Sequence, residues 1–469
     1  MGYFSNGVTN YSAGDEIALR KALTAGYGTD SAAFEGGRAL IKENCEQETM
    51  NVLAMSKDDC KVMSSIKTLK VASTVHEVNL RDDEGDYRFL TTVEGGGSPE
   101  TDQGLKRKTY EMKFLQTKRR ITQQMLISKT FEDALASEKV TAINTMMKGC
   151  EHLCFHGDSS IVPTEFDGFE AQIRNADSDE QNIVDLRGKL LTTYGEGIFD
   201  DASALVYEKG GYLSKALFPP ALAGDIKNMF ADRLRFVPTD SLGALKQIPD
   251  YPTAVGSTIR LAGDGAGADK FYRVKGTVSA QGDSTYRPPA PSAVTAEVTL
   301  DADGSEFTDD DAGTYTYVVH AVNNAGISDG TEADATVAVT AGDSVTITIT
   351  AGSYGTNNAP TGYIICRSSA DGSTVMEMAR VAADSDGNAT YTDLNEELPG
   401  TASMLLLTEE KIQPIVEFGQ LMPITMVPLG RRSMADEFIV GTYGALELHA
   451  PKMCALVKNV GYSAGLYAL

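Results

Sequence analysis

The sequence predicts an α+β body interrupted by an all-β module. Three observations carry that reading: one long amphipathic helical stretch at residues 129–156, short alternating strands on either side of it, and a compositional break between residues 285 and 402. The chain has 469 residues, about three domains' worth of material. Hydrophobic residues make up 42% and charged residues 23%, enough for real cores and too apolar for wholesale disorder. The net charge of −24 opposes a general role in gripping phosphates, although a container that only surrounds nucleic acid remains compatible with it.

The helical stretch begins at Lys129, with Ser128 as candidate N-cap, and ends at Gly157, read as a left-handed stop. Phe131, Leu135, Ile143, Met146, Met147, Cys150, Leu153 and Cys154 recur mostly three or four apart and line one side. A helix of this length is a rod of about 42 Å. It opens into Gly157-Asp158 and then Pro163-Thr-Glu-Phe166-Asp-Gly168-Phe169.

Upstream, Gly14–Leu23 and Arg38–Leu53 read as two modest helices separated by glycines, too little to close a core with each other. Val71–Leu80 and Tyr110–Phe114 tend to alternate and predict two strands. Between them lie Asp82, Asp83, Glu84 and Arg88, then the flexible run from Glu94 to Gly104, then Lys106, Arg107 and Lys108; Lys118, Arg119 and Arg120 follow. A two-stranded excursion has no core of its own, so it must pack on something, such as another subunit. Its opposed acidic and basic arms suit charge pairing between copies.

Downstream of the long helix, Asp201–Tyr207 reads as a strand and Pro219–Phe230 as a helix opened by proline. Residues 236–284 are loop- and strand-like, with Gly263-x-Gly265-x-Gly267 as a turn; it lacks the spacing and context of a dinucleotide loop. The segment 285–402 enters through Arg287-Pro-Pro-Ala-Pro291 and carries Thr-, Val- and Tyr-rich strands at 314–322, 344–350 and 363–367. Asp386-Gly387 offers a hairpin turn ahead of Ala389–Tyr391. These features predict an Ig-like β-sandwich. Tyr315-x-Tyr317-x-Val319-x-Ala321 and Gly362–Ser368 resemble strands of fibronectin type III modules, in reversed order. The chain then returns to its earlier style, with Met404–Leu407 and a closing strand pair from Met434 to Asn459. The module is therefore expected to be an insertion at an exposed loop.

Motifs that suggest chemistry read as structure. On a helix Cys150 and Cys154 share one face while His152 and His156 point elsewhere, so the four cannot converge on one metal. Asp384-Ser-Asp386-Gly387-Asn388 has its glycine too early for a calcium loop, and Asp301, Asp303 and Asp309–Asp311 read as turn residues. No nucleophile–base–acid set stands out, and neither a catalytic site nor a cofactor is expected. The six cysteines are scattered and expected to be reduced. No signal peptide is visible, Asn6 stands where myristoylation needs Ser or Thr, and no apolar run is long enough to span a membrane.

The rod with its Gly157-Asp158 exit, the excursion before it and the returning strands after 404 resemble the major capsid proteins of tailed phages, which have the Hong Kong 97 fold. The resemblance implies an N-terminal arm (1–65), an extended loop (66–112), a peripheral domain (113–235) with a spine helix at 129–156, and an axial domain (236–284). The inserted sandwich (285–402) then separates these from an axial return (403–430) and peripheral return strands (431–469). It implies self-assembly into pentamers and hexamers around double-stranded DNA, without sequence-specific binding. A scaffolding protein, a portal and an optional decoration protein would be partners; assembly would take place in the host bacterial cytoplasm, with the virion as final location. Asp82, Asp83, Glu84, Arg88, Lys106, Arg107, Lys108, Lys118 and Arg119 are the candidate inter-subunit contacts. Some members crosslink a lysine to an asparagine; Lys106, Lys108 and Asn459 are the residue types required, but their spacing nominates no trio. An encapsulin-like compartment and a glycan-binding Ig-like adhesin are the alternatives.

Overall fold

The computed structural model describes residues 60–85, 91–97, 100, 102–127, 134–230, 250–262, 265–408, 415–430, 434–463 and 465. The readings placed on residues 14–53, Arg88 and Ser128 lie outside them.

The central layer is a sheet in the order β5 (Ile183–Asp185), β23 (Ala455–Val460), β20 (Ala402–Thr408), β6 (Leu213–Phe218), β8 (Thr258–Arg260) and β7 (Asp250–Pro252), with β9 (Gly267–Ala268) also against β6. Its middle strands are apolar without alternation because both faces are covered. Met404 and Leu406 enter one core with Leu191, Ile198, Phe199, Val206, Leu222 and Ile226, supplied by α5 (Leu191–Tyr194), α6 (Gly197–Glu208), α7 (Ala223–Met229) and the turn before α7. Leu405 and Leu407 enter a second core with Phe155, Phe166, Phe169 and Phe418.

Beyond that second core lies a sheet ordered β1 (Lys67–Lys70), β21 (Val416–Pro428), β22 (Ala435–Leu448) and β4 (Lys113–Thr122). Two helices, α3 (Ala134–His156) and α4 (Phe169–Arg174), pack beside it, α2 (Gln123–Ile127) follows β4, and α1 (Lys61–Ser65) sits on α3. The side of α3 that is buried is Ala142, Met146, Cys150 and Cys154, spaced by four; Ile143 is half-exposed, not part of the stripe. Over its described 23 residues α3 is about 35 Å long.

Gly157 is not the left-handed stop expected, since its φ is not positive. Its role is close approach: a Cβ there would lie 2.3 Å from the Phe166 carbonyl oxygen, and one on Gly168 2.6 Å from that of Leu153. Gly168 N–H donates to the Gly157 carbonyl at 2.8 Å, tying the helix exit to the start of α4. Residues 201–207 are helical, not a strand: they belong to α6, whose Ile198, Phe199, Ala202 and Val206 are buried at three- and four-residue spacing. The closing stretch is not a strand pair either. β22 joins the outer sheet and β23 the central one, separated by the turn at Pro451.

The excursion is a hairpin of β2 (Val75–Asp83) and β3 (Gly104–Glu111), which among the described residues pair only with each other.

Residues 281–393 form two facing sheets. One is ordered β10 (Gln281–Gly282), β14 (Gly326–Glu332), β13 (Tyr317–Asn323), β17 (Gly362–Ser368) and β18 (Val375–Ala382); the other is β11 (Ala293–Thr299), β16 (Ser344–Thr350) and β19 (Ala389–Asp393), with β12 (Gly313–Tyr315) pairing β15 (Val337–Val339) at the side. Val345, Ile347 and Ile349 of β16 meet Tyr317, Val319, Tyr363 and Ile365 in one core. The Asp386-Gly387 turn forms, with Gly387 at φ +82°, but it joins strands of different sheets and closes no hairpin. Arg367 is buried there, donating to Asp393 at 2.6 Å and Asn395 at 2.7 Å between the rings of Phe307 and Tyr315. Segment 285–402 holds eighteen acidic residues against three arginines and no lysine. Arg287 pairs with Asp329 and Arg380 with Glu377, so each arginine has a carboxylate partner.

This unit sits firmly on the body. Ile161 and Val162, from the loop after α3, pack with Val322, Ile364 and Cys366. Glu397 pairs with Lys275, with Arg174 at 3.0 Å and with Lys458 at 3.7 Å, and Arg187 reaches Glu306. Replacing Arg367 with Met leaves the buried Asp393 without its charge partner. We expect a cost of about 3–5 kcal/mol, read as lost amide-exchange protection across β13, β16 and β17 while β20 and β23 keep theirs.

Candidate assembly surface

The hairpin spans the outer sheet above a groove of about 1200 Å³. Phe166, Leu446 and Met453 are among its body-side lining, and Val78, Leu80 and Tyr110 line it from the hairpin. A two-stranded ribbon cannot bury a core of its own, so it is held to the body both by packing of Tyr110 and Val78 on the second core and by polar bonds. Tyr110 Oη donates to the Leu448 carbonyl at 2.8 Å and Lys108 Nζ to the same carbonyl at 2.8 Å, while Met112 N–H donates to the Thr74 carbonyl at 2.8 Å and closes the base of the ribbon itself. Burial and the charge of Glu447 hold the Tyr110 phenol in its neutral, donating form.

The sequence-nominated charges divide into three groups. Lys106 lies 2.9 Å from Asp177 and 2.6 Å from Glu180, Arg107 lies 3.3 Å from Glu77, and Lys108 is committed to Leu448, its ammonium pKa lowered by burial. On β4, Lys118 pairs with Glu437 at 2.6 Å and Arg119 donates to Thr145 at 3.2 Å. Glu84 is exposed just after β2, whose last residues are Asp82 and Asp83; Arg88 lies outside the described residues. Thus the basic residues reach partners within their own chain while keeping much of their surface: Lys106 is 48% exposed, Arg107 64% and Lys118 55%. Exposed pairs of this kind contribute about 0–1 kcal/mol, so exchanging them for a neighbour's carboxylates costs little.

The other candidate chemistry is absorbed by packing. Cys150 and Cys154 are buried in the face of α3, and burial pushes the Cys150 thiol up to about 12. Asn459 is buried at φ +54°, and its amide donates to Asp185 and the Glu396 carbonyl. Glu151, which the sequence did not flag, is fully buried and accepts from the N–H groups of Val62 and Met63 at 2.7 and 2.8 Å. Its carboxylate meets the first turn of α1 and fastens it to α3. Desolvation, with Asp269 beside it, pushes that carboxyl up to about 8.

Glu417 and Glu447 were also missed. Both are buried and stand directly opposite each other on β21 and β22. His76 of the hairpin lies 2.9 and 3.0 Å from the two oxygens of Glu447. An acidic residue in each of two strands carries no visible signal until their register is known.

The described residues thus form a layered α+β body with a two-stranded ribbon rooted on it by packing and hydrogen bonds. No family model matches the sequence. A putative major capsid protein of Enterococcus phage phiEF24C is 27% identical over 476 residues, covering 95% of each chain, and the major capsid protein of Staphylococcus phage K is 26% identical with the same coverage. The chain is thus similar, from end to end, to major capsid proteins of phages. Among solved structures, the capsid of an empty GTA particle aligns with a TM-score of 0.48 at 11% identity, covering 92% of this chain and 100% of that one. The SrpI encapsulin of Synechococcus elongatus PCC 7942 aligns with a TM-score of 0.44 at 10% identity, covering 92% and 95%.

The seam between α3 and the two-sheet unit generates a pH prediction. Burial, with the neighbouring cations, pushes His152 down to about 4 and His156 down to about 3. His156 Nε2 accepts from the Arg273 N–H at 3.1 Å, a bond that needs the neutral ring. Both folded values lie below the free value of 6.5, so the unfolded state binds more protons and stability is lost as pH falls from 6.5 toward 4. Glu165, pushed up to about 7 by burial, offsets part of this. Acidification across that window is expected to raise amide exchange at residues 161–175 and 362–368, and the H152Q/H156Q double variant should flatten the response.

Proposed function

We propose that copies of this chain tile an icosahedral shell of pentamers and hexamers that encloses phage double-stranded DNA, and that the role is mechanical, not enzymatic. The carrying observation is the end-to-end similarity to phage major capsid proteins. Coverage of 95% of each chain runs through residues 285–402 as well, which favours a shared subunit plan over a capsid-unrelated adhesin. The same relatives favour a virus shell over an encapsulin-like compartment.

The subunit plan we favour is Hong Kong 97-like: an arm at 1–65, an extended loop at 66–112, a peripheral part around α3 and the outer sheet, and an axial part. The two-sheet unit supplies an Ig-like domain on the exterior or against neighbouring capsomers. Its large excess of acidic residues supports the side facing away from DNA, since like charges repel. Asp82, Asp83, Glu84, Arg88, Lys106, Arg107, Lys108, Lys118 and Arg119 are proposed to meet an adjacent copy across the ribbon and β4. A scaffolding protein, a portal and a decoration protein are proposed partners, with assembly in the host bacterial cytoplasm and the virion as final location.

Two measurements test this. Co-expression with the phage's scaffolding protein should yield spherical particles by negative-stain electron microscopy; monomers under every condition would overturn the reading. The K106E/R107E variant should fold, by unchanged far-UV circular dichroism, and lower the yield of closed particles about tenfold or more. An unchanged yield would remove these two residues from the contact.

A further inference from the structure

The ribbon's root holds an arrangement that shell building alone does not require. Glu417 and Glu447, at most 7% side-chain exposed, face each other across β21 and β22, where directly opposed like charges repel. Gly419 leaves the space for this: a Cβ on it would lie 2.1 Å from a Glu447 oxygen.

Four strands or strand ends around this pair send a titratable or charged group towards it. From β2 comes His76, on both oxygens of Glu447. Just after β22 comes His449, whose Nε2 lies 3.7 Å from Glu417 and 3.8 Å from Glu447. From β3 come Tyr110, with its hydroxyl 3.3 Å from His449 Nδ1, and Lys108 on the adjacent Leu448 carbonyl. From β1 comes Lys67, 3.8 Å from Glu417 but 63% exposed. Three of these groups belong to the ribbon: His76 meets the carboxylate pair directly, while Lys108 and Tyr110 meet the adjoining Leu448 carbonyl, so the ribbon is seated beside the pair and touches it through His76.

We propose that this cluster is a proton-operated joint that seats the β2–β3 ribbon on the outer sheet when it holds a proton and loosens the ribbon when it loses it. With a proton on Glu447, the pair carries at most one uncompensated negative charge. Without it, two buried carboxylates oppose each other, balanced only by the largely exposed Lys67 at 3.8 Å from Glu417 and by Lys108, which is engaged by the neighbouring Leu448 carbonyl. Desolvation raises the Glu447 carboxyl in the seated state; His76 acts against it and Glu417 adds to it, and the net direction is upward. A carboxyl raised on seating means that seating takes up a proton, so the seat is firm below that value and lost as pH rises through it. His449, pushed down to about 4 mainly by burial, sets the opposite limit: seating weakens again as pH falls from 6.5 toward 4.

The test uses the unassembled full-length chain, so it stands apart from any shell reading. Hydrogen–deuterium exchange, corrected for intrinsic pH dependence, is followed at residues 75–83 and 104–111 from pH 6 to 9, with β20 and β23 as internal controls. Ribbon protection should fall about tenfold per unit of pH beyond the inflection, while the controls stay flat. Glu447→Gln keeps an acceptor for His76 and should abolish the dependence with the ribbon protected throughout. His76→Ala should leave the ribbon exchanging fast at pH 6. If Glu447→Gln fails to fold, by loss of control-strand protection, Glu417→Gln serves, relieving the same repulsion and weakening the dependence. A flat profile in the unaltered chain, or an unchanged slope in whichever glutamine variant folds, overturns the proposal.

Discussion

Burial of the β20–β23–β6 layer on both faces is the constraint on which the rest of the protein depends. Met404, Leu405, Leu406 and Leu407 point alternately into two cores, and neither core closes without the layer between them. Helices α5, α6 and α7 cover one side; the aromatic cluster of Phe155, Phe166 and Phe169 and the outer sheet cover the other. Chain connectivity reinforces this. β20 and β23 lie beyond the 285–402 unit, yet β6 lies before it, so the central layer is completed only after that unit has been traversed. Loop closure over that distance adds little entropy per residue, and less still if the intervening segment is itself folded.

The same layering explains where charge is tolerated. Glu151 is satisfied by the first turn of α1, Arg367 by Asp393 and Asn395, and Glu397 by three cations at the seam. Each buried charge joins segments far apart in sequence, and in each case removing one partner would leave the other stranded. The Glu417–Glu447 pair is the exception. It opposes like charges and relies on side chains from a ribbon that has no core of its own.

Periodicity read well where one face of an element is dry and the other wet. Val345, Ile347 and Ile349 alternate with threonines and all three are buried, and the Ala389–Tyr391 strand lies within β19. It failed at α6, where Ala-Ser-Ala-Leu-Val is compatible with either period and the flanking Ile198 and Phe199 decide for helix. It failed again at Gly157, because glycine permits both a left-handed turn and a tight backbone contact, and only the position of Phe166 tells which. The long helix, the ribbon and the all-β unit were legible from local pattern. The assignment of β22 and β23 to different layers, and the meeting of His76 with Glu447, were not, since both depend on register between strands hundreds of residues apart.

The composition of the 285–402 unit has a practical consequence. It offers trypsin three arginines, one fully buried and all paired with carboxylates, and it offers amine-reactive reagents no lysine at all. The ribbon, by contrast, carries several partly exposed cationic side chains. Proteolytic nicks and amine labels would therefore accumulate on the body and pass over a quarter of the polypeptide. Mapping chemistry aimed at carboxyl groups would read the complementary half of the surface.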